Sequence, residues 1–232
     1  MNNVQWISAE LIGRAQETPS LVYLRLSPKL EDIRIDFQAG QCVKISSPAG
    51  HESTFAIASE PEEKRFIEFL IKDHEAGAAH ELCRIKIGNQ IKIGQPFGRG
   101  YPMERFKGKD ILLVGMGSGL SPLRSLLKSL LRREHQFGKI IFLYGARTPE
   151  DIPFKNEFDL WSKKIDLRLA ISKPLSPHSG FLGRVTHLLP KLNLPDVKNM
   201  VVCVCGHRTM QEEVTNLLER AGISKENVLT NH

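Results

Sequence analysis

The sequence predicts an α/β plus all-β protein, with an N-terminal antiparallel β-barrel followed by a doubly wound parallel-sheet nucleotide-binding domain. Three observations carry that expectation. Residues 1 to about 102 break into short β-rich runs separated by Gly and Pro turns, the rhythm of a small antiparallel barrel. After Arg105-Phe106-Lys107-Gly108 the rhythm changes to apolar runs alternating with helical stretches, the signature of a parallel sheet with crossover helices. Between them, the stretch from Asp110 to Arg133 reads as strand, glycine loop and helix in immediate succession. The expected division is a barrel over 1–104 and a nucleotide-binding domain over 105–232.

In the first part, Leu21–Leu26 ends before Pro28, and Gln41–Ile45 follows Gly40. Thr54–Ala58 ends before Pro61, Phe66–Lys72 is the strongest strand, and Gln90–Ile93 runs into Gly94-Gln95-Pro96-Phe97-Gly98. One helix is expected at about Ala78–Ile85. In the second part the strands are Ile111–Val114, Ile140–Tyr144, Ile165–Ile171, Met200–Cys205 and Val228–Leu229. Helices are expected at about Pro122–Arg133, Lys155–Trp161, Val185–Leu189 and Thr209–Ala221. The segment Lys173–Gly180 carries the least structural signal.

Gly115-Met116-Gly117-Ser118-Gly119 lets the backbone turn sharply and approach another molecule closely. Ser121 suits a helix cap and Pro122 a first helical position. Leu123, Leu126, Leu127, Leu130 and Leu131 form one apolar stripe, with Arg124, Lys128, Arg132 and Arg133 off it. Loop N–H groups at a positive helix end suit an anion, most simply a dinucleotide pyrophosphate; the plain alternative is a tight βα turn with no ligand. A right-handed sheet of order 3-2-1-4-5 would bring this loop beside Cys205-Gly206-His207, at the switch point between its first and fourth strands.

Composition narrows the function classes. Charged residues make up 25% and hydrophobic ones 41%, ordinary for a globular protein, and no apolar run is long enough to span a bilayer. The start of the chain lacks a secretory pattern, and Cys42, Cys83, Cys203 and Cys205 show neither C-x-x-C nor metal spacing. A reduced, cytoplasmic setting is expected, with no bound metal. The net charge of +6 favours acidic partners, and no basic-aromatic motif points to nucleic acid.

Taken together, the motifs resemble those of the ferredoxin–NADP reductase superfamily, over nearly the whole chain. Gly115–Leu123 is similar to its A-G-G-T-G-I-A-P-L loop, and Tyr144–Asp151 to the stretch after its second nucleotide-domain strand. Gly180–Thr186 resembles G-x-x-G-x-V-T, Cys205-Gly206 with Met210 resembles C-G-x-x-x-M, and Gly40-Gln41 and Pro96-Phe97-Gly98 match barrel landmarks. The nearest likeness is to oxygenase reductases and electron-transfer subunits. The resemblance implies an oxidoreductase passing hydride from NAD(P)H to flavin N5, then single electrons to a protein acceptor. It implies that Gly115, Gly117, Ser118, Gly119 and Pro122 hold the pyrophosphate, with Arg147, Gly206 and Met210 completing the nucleotide site. Cys205 would lie beside the nicotinamide as an orienting group, with a buried core thiol as the alternative; Cys203 is read as core. Arg147 suits a 2′-phosphate, whereas Glu150 and Asp151 suit a free ribose hydroxyl, so NADH and NADPH both stay open.

The flavin motif departs from the family pattern R-x-Y-S-x-x-S. Ser53-Thr54-Phe55-Ala56-Ile57-Ala58-Ser59 stands there, so Ser53 replaces the arginine, Phe55 the tyrosine and Ala56 the serine; Ala79 replaces a phosphate-contacting Ser/Thr. The remaining flavin contacts would come from Phe55, Ala56, Ile57 and Ser59, with His51, Arg65, Lys72 and Arg84 as substitute cations. The expectation is a weakly held FAD, with FMN or no flavin as alternatives. In the last case the chain would act as a nucleotide- or partner-binding module. No terminal aromatic is present to cover a flavin; His232 is the residue at that place, and a frayed tail is the simpler reading.

Overall fold

The computed structural model describes residues 5–28, 35–174, 180–194 and 196–231. Its first half is a six-stranded antiparallel sheet built from β1 (Trp6–Thr18), β2 (Leu21–Pro28), β3 (Cys42–Ser46), β4 (Glu52–Ala56), β5 (Ile67–Lys72) and β6 (Gln90–Gly94), in the order β4-β3-β6-β1-β2-β5. The two edge strands meet: Ile57 bridges Phe69, and the Ala58 N–H donates to the Glu68 carbonyl at 2.7 Å. That junction closes the sheet into a barrel and removes its free edges. Side chains of alternate residues fill the interior, Ile7, Leu11, Leu24, Val43, Ile57 and Phe69 among them. Helix α1 (Gly77–Arg84) lies between β5 and β6, as expected.

The first strand is an addition to the expected set. β1 has its apolar residues Ile7, Ala9 and Leu11 at every second position, the ordinary sign of a half-buried strand, and its pairing with both β2 and β6 makes it the longest strand of the sheet.

The second half follows the expected wound order. β7 (Asp110–Met116), β8 (Ile140–Ala146), β9 (Asp166–Ile171), β10 (Phe181–Leu182), β11 (Met200–Cys205) and β12 (Val228–Thr230) form a parallel sheet in the order β10-β9-β8-β7-β11-β12. Apart from the short edge strand β10, this is 3-2-1-4-5. The sheet is covered on both faces, so its strands are continuous apolar runs rather than alternating ones. Ile111 and Leu113 point to the face carrying α2 (Leu120–Arg132) and α3 (Lys155–Trp161). Leu112 and Val114 point to the face carrying α4 (Val185–Leu188) and α5 (Arg208–Arg220). Cys203 is fully buried in the first of these cores.

The basic residues of α2 do not form a solvated face. The leucine stripe packs on the sheet, while the opposite side of the helix is fastened to the barrel. Arg124 Nη1 donates to Glu68 Oε2 at 2.6 Å and to the Ala58 carbonyl at 2.7 Å; its Nε and Nη2 donate to Glu157 at 2.7 and 2.6 Å. Lys128 pairs with Glu60 at 3.0 Å, Arg132 also pairs with Glu60, and Arg133 pairs with Glu62 at 2.9 Å. Burial alone would raise the Glu68 carboxyl; the Arg124 charge and the Tyr23 hydroxyl outweigh it and hold the group below the usual carboxylate range. Ser121 differs from its expected role as a cap. The helix begins two residues before the expected Pro122, at Leu120 with Gly119 before it, and the Ser121 hydroxyl donates instead to the Leu70 carbonyl of β5 at 3.2 Å. The helix that opens the nucleotide loop is thus joined to the barrel along its whole length.

Candidate functional site

A cavity of about 570 Å³ lies where the two sheets face each other. The residues that line it come from both halves of the chain, and each half contributes a different kind of surface.

On the parallel-sheet side, the lining includes Gly117, Gly119 and Gly206, where only backbone can meet a ligand. β7 ends at Met116, Gly117–Gly119 makes a single 3₁₀ turn, and α2 follows directly. Gly117 has a φ of +54° and a Cβ added there would meet nothing within 4 Å, so the loop is open toward the cavity at this point. Its carbonyl accepts from the buried Tyr144 hydroxyl at 3.0 Å, which fixes the turn from the neighbouring strand. Gly119 has another reason to be glycine: a Cβ would sit 2.5 Å from the Cys205 carbonyl oxygen, so the loops after β7 and β11 touch here. Gly115 likewise serves packing, since a Cβ at that position would lie 2.5 Å from Leu123 Cδ1, and it does not line the cavity. Ser118, Pro122, Cys205 and Gly206 do line it. The Gln211 carboxamide donates to the Gly206 carbonyl at 2.8 Å and His207 Nδ1 accepts from the Thr209 N–H at 3.4 Å, so the second loop is also held.

On the barrel side, side chains do the lining. Ser53, Thr54, Phe55 and Ala56 of β4 line the cavity with Leu70 and Lys72 of β5, His74, and Ala79 of α1. Two expected flavin contacts lie elsewhere. Ile57 is fully buried in the barrel core, and the buried Ser59 hydroxyl accepts from the Glu68 N–H at 3.1 Å. The cause is strand geometry: β4 ends at Ala56, and the chain then turns inward to close the barrel. Among the substitute cations, His51 is bound to Glu81, Arg65 to Glu63 and Arg84 to Asp73. Lys72 is the one of the four that lines the cavity. The barrel landmarks meet directly, with Gln41 Nε2 donating to the Gly98 carbonyl at 2.8 Å.

Cys205 forms the floor between the two sides. Burial pushes its thiol up to about 12, so it is a protonated donor, and Sγ lies 3.4 Å from Asn231 Oδ1. Asn231 Nδ2 lies 3.9 Å from Cys42 Sγ on β3, so the carboxamide links the parallel sheet to the barrel. Asn231 is buried and also lines the cavity. The frayed-tail expectation concerns His232, which lies outside the described residues. No apolar or charge pattern marks Asn231 in the sequence, and only its position after a strand end could have drawn attention to it.

Arg147 and Met210 lie in an adjoining trough of about 340 Å³, together with Lys173, Arg184 and Glu213. Met116 and His207 line both spaces, which makes them continuous along the carboxyl edge of the parallel sheet. Among the described residues there is no group of three or more His, Cys, Asp or Glu side chains placed to hold a metal ion, and no helix is long and apolar enough to cross a membrane.

Comparison with known proteins agrees with this geometry. Residues 113–216 match the family described as the oxidoreductase NAD-binding domain. The chain is 29% identical to the sulfhydrogenase 1 subunit gamma of Pyrococcus furiosus, over 91% of this chain and 73% of that protein. It is 28% identical to the propane 2-monooxygenase reductase component of Rhodococcus jostii, over 91% of this chain but 59% of that longer protein. Among solved structures, the ferredoxin reductase in carbazole 1,9a-dioxygenase superposes with a TM-score of 0.85 at 20% identity, covering 98% of this chain and 69% of that one. A ferredoxin NADP+ reductase from Neisseria gonorrhoeae, with bound FAD and NADP, superposes with a TM-score of 0.83 at 19% identity, covering 98% of each chain. A closed barrel and a parallel sheet sharing one cavity are the fold of those reductases, and residues 113–216 lie in the half that matches the oxidoreductase NAD-binding domain. In sequence and in fold the chain is similar to reductase components and ferredoxin reductases, in agreement with its resemblance to the ferredoxin–NADP reductase superfamily.

Proposed function

We propose that this protein is an NAD(P)H-dependent flavoprotein oxidoreductase that accepts hydride from the nicotinamide and passes electrons singly to a protein acceptor. The observation that carries the reading is the shared cavity, in which the Gly117–Gly119 loop and Cys205-Gly206 face Phe55 and Lys72. In this reading residues 1–104 serve the flavin and 105–232 the dinucleotide. The open backbone at Gly117 accommodates a phosphate, Ser118 and Pro122 border it, and Cys205 packs beside the nicotinamide with its S–H donated to the Asn231 carboxamide oxygen.

The barrel side suits a flavin in part. Phe55 offers a ring face, which stacks without needing its hydroxyl, and Leu70 and Cys42 give an apolar floor. The charge that Ser53 cannot supply would come from Lys72, which borders the same space. Bound there, FAD supplies a hydride acceptor that releases electrons one at a time. A flavin-free nucleotide-binding module is the second reading, favoured by Ser53, Ala56 and Ala79 at positions where the family places hydrogen-bonding side chains. The net charge of +6 supports an acceptor with an acidic face, and association should then weaken steeply between low and physiological salt.

The test is an absorbance spectrum of the protein incubated with FAD and then desalted, followed by anaerobic addition of NAD(P)H. Retained flavin absorbance that bleaches on addition supports the reductase reading. Retained dinucleotide binding without any flavin absorbance transfers the conclusion to the flavin-free module.

A further inference from the structure

We infer that the bare edge and face of β9 dock an extended, acidic segment of a partner protein, which adds a strand to the parallel sheet. The inference does not rest on the functional reading above, because this surface lies away from the central cavity.

The second crossover helix leaves part of the sheet uncovered. α3 has 7 residues, and its core aromatics are committed to β8. The Phe158 and Trp161 rings lie 6.0 and 6.2 Å from the Phe142 ring, and Phe158 lies 5.2 Å from Tyr144. β8 is accordingly buried from Ile140 to Tyr144. Beyond it, Ile165, Leu167 and Leu169 pack on the same core as α3 yet are only half-buried. Leu182 pairs in register with Ile171, which places it on that face, and it is 65% exposed. Leu160 of α3 is 61% exposed. Apolar side chains laid across this row would remove it from water.

The backbone of the strand is open beside the row. β10 pairs only with Ala170 and Ile171, so no described strand lies against the outer edge from Asp166 to Leu169. On that edge the Ile171 carbonyl accepts from the Gly183 N–H at 2.8 Å, and strand alternation turns the Leu169 N–H and the Leu167 carbonyl the same way. The Leu167 N–H is satisfied only locally, by the Ile165 carbonyl at 3.0 Å. Backbone groups arranged in this way are a template for strand addition.

Charge selects the occupant. The edge begins at a cavity of about 640 Å³ lined by Leu131, Ile140 and Ile165 together with Lys139, Lys163 and Lys164. Glu134 and Asp166 are the acids that border it. Lys139 and Arg168 share the Asp166 carboxylate, at 3.2 and 2.5 Å. Lys163 and Lys164 take part in no ion pair among the described residues. Two copies of the chain joined through this edge would bring their unpaired lysines together, whereas carboxylates on an extended segment would neutralise them. The place suits a lasting contact. Asp166 opens β9 at the amino edge of the sheet, while the Gly117 loop and Cys205 lie at the carboxyl ends of β7 and β11. A partner held here leaves the central cavity free.

The experiment titrates the full chain with a fluorescent, end-capped peptide of alternating glutamate and valine, and with its lysine–valine counterpart, at low and at physiological salt. The acidic peptide should bind at least about tenfold more tightly, and the difference should narrow as salt rises. Amide hydrogen exchange at Leu167 and Leu169 should slow when it binds. Lys163→Glu with Lys164→Glu should invert the preference between the peptides, and Leu160→Asp should weaken both. These side chains are exposed, so the variants should retain the native circular dichroism. Equal binding of the two peptides, no binding of the acidic one up to about 1 mM, or exchange protection confined to residues outside β9 overturns the inference. So does a dimer of the chain in sedimentation that Leu160→Asp dissociates, since that gives the surface to a second copy.

Discussion

The two sides of the central cavity recognise a ligand by different physical means. The parallel-sheet side works through its backbone, in an open turn at Gly117 and two loops pressed together at Gly119 and Cys205. The barrel side works through the tips of side chains, and there Ser53, Phe55, Ala56 and Ala79 stand where the family pattern has arginine, tyrosine, serine and a hydroxyl residue. A backbone surface changes only when the fold changes. A side-chain surface changes with each substitution while the fold is unaffected. That is why the closed barrel persists here with its hydrogen-bonding groups altered.

The comparison depends on the two sides being held face to face, and this is where the largest effect is expected. Arg124 and Glu68 are almost wholly buried at the junction, with side chains 4% and 2% exposed. Removing one partner leaves an uncompensated charge, so Arg124→Ala should cost about 3–5 kcal/mol in urea denaturation at constant m. A loss below about 1 kcal/mol would mean that apolar packing alone joins the halves. The pH dependence has a definite sign. The Glu68 carboxyl lies lower in the folded than in the unfolded protein, so its contribution is present above the ordinary carboxylate range and is lost as pH falls through and below it. The melting temperature should therefore fall on acidification, and less steeply in Glu68→Gln.

Next come the glycines of the nucleotide side. Gly119→Ala places a methyl group against the backbone at Cys205 and Gly206 and should cost about 1–3 kcal/mol, moving the two loops apart. Gly117→Ala meets no atom and should cost about 1–2 kcal/mol through its left-handed φ, yet block a phosphate approaching the loop. Stability and nucleotide affinity measured on both variants distinguish a packing glycine from a binding one. Loss of affinity in neither would remove the loop from the site.

The smallest effect sharpens the other side of the comparison. Ser53→Arg with Ala56→Ser should raise flavin affinity by about tenfold to a hundredfold if the cavity is otherwise intact. Fluorescence titration with FAD measures it. An unchanged affinity would show that Lys72 already provides what the arginine would.

What is legible in the sequence follows the same division. The wound order of the parallel sheet, the glycine loop and the later helices are readable because period and glycine placement report backbone geometry. The helix Lys155–Trp161 matches its sequence expectation to the residue. The strand Trp6–Thr18 escapes the sequence expectation although the alternation of Ile7, Ala9 and Leu11 is there to be read. Arg124 reads only as lying off the leucine stripe, because helical spacing does not show that a second element covers it. The roles of Asn231 and Tyr144 are invisible for a related reason: each acts through hydrogen bonds between segments distant in sequence.

The thiols at the junction bear on how electrons travel. Thiolates, rather than thiols, are readily oxidised. Burial raises Cys42 and Cys203 above their ordinary value and pushes Cys205 up to about 12. At neutral pH Cys205 is therefore held as the thiol. Sulfur atoms thus stand against a compartment proposed for redox traffic while withholding their own electrons from it. The lining is chemically silent by virtue of its dryness, and a substitution that admitted water beside Cys205 would end that silence before it disturbed the fold.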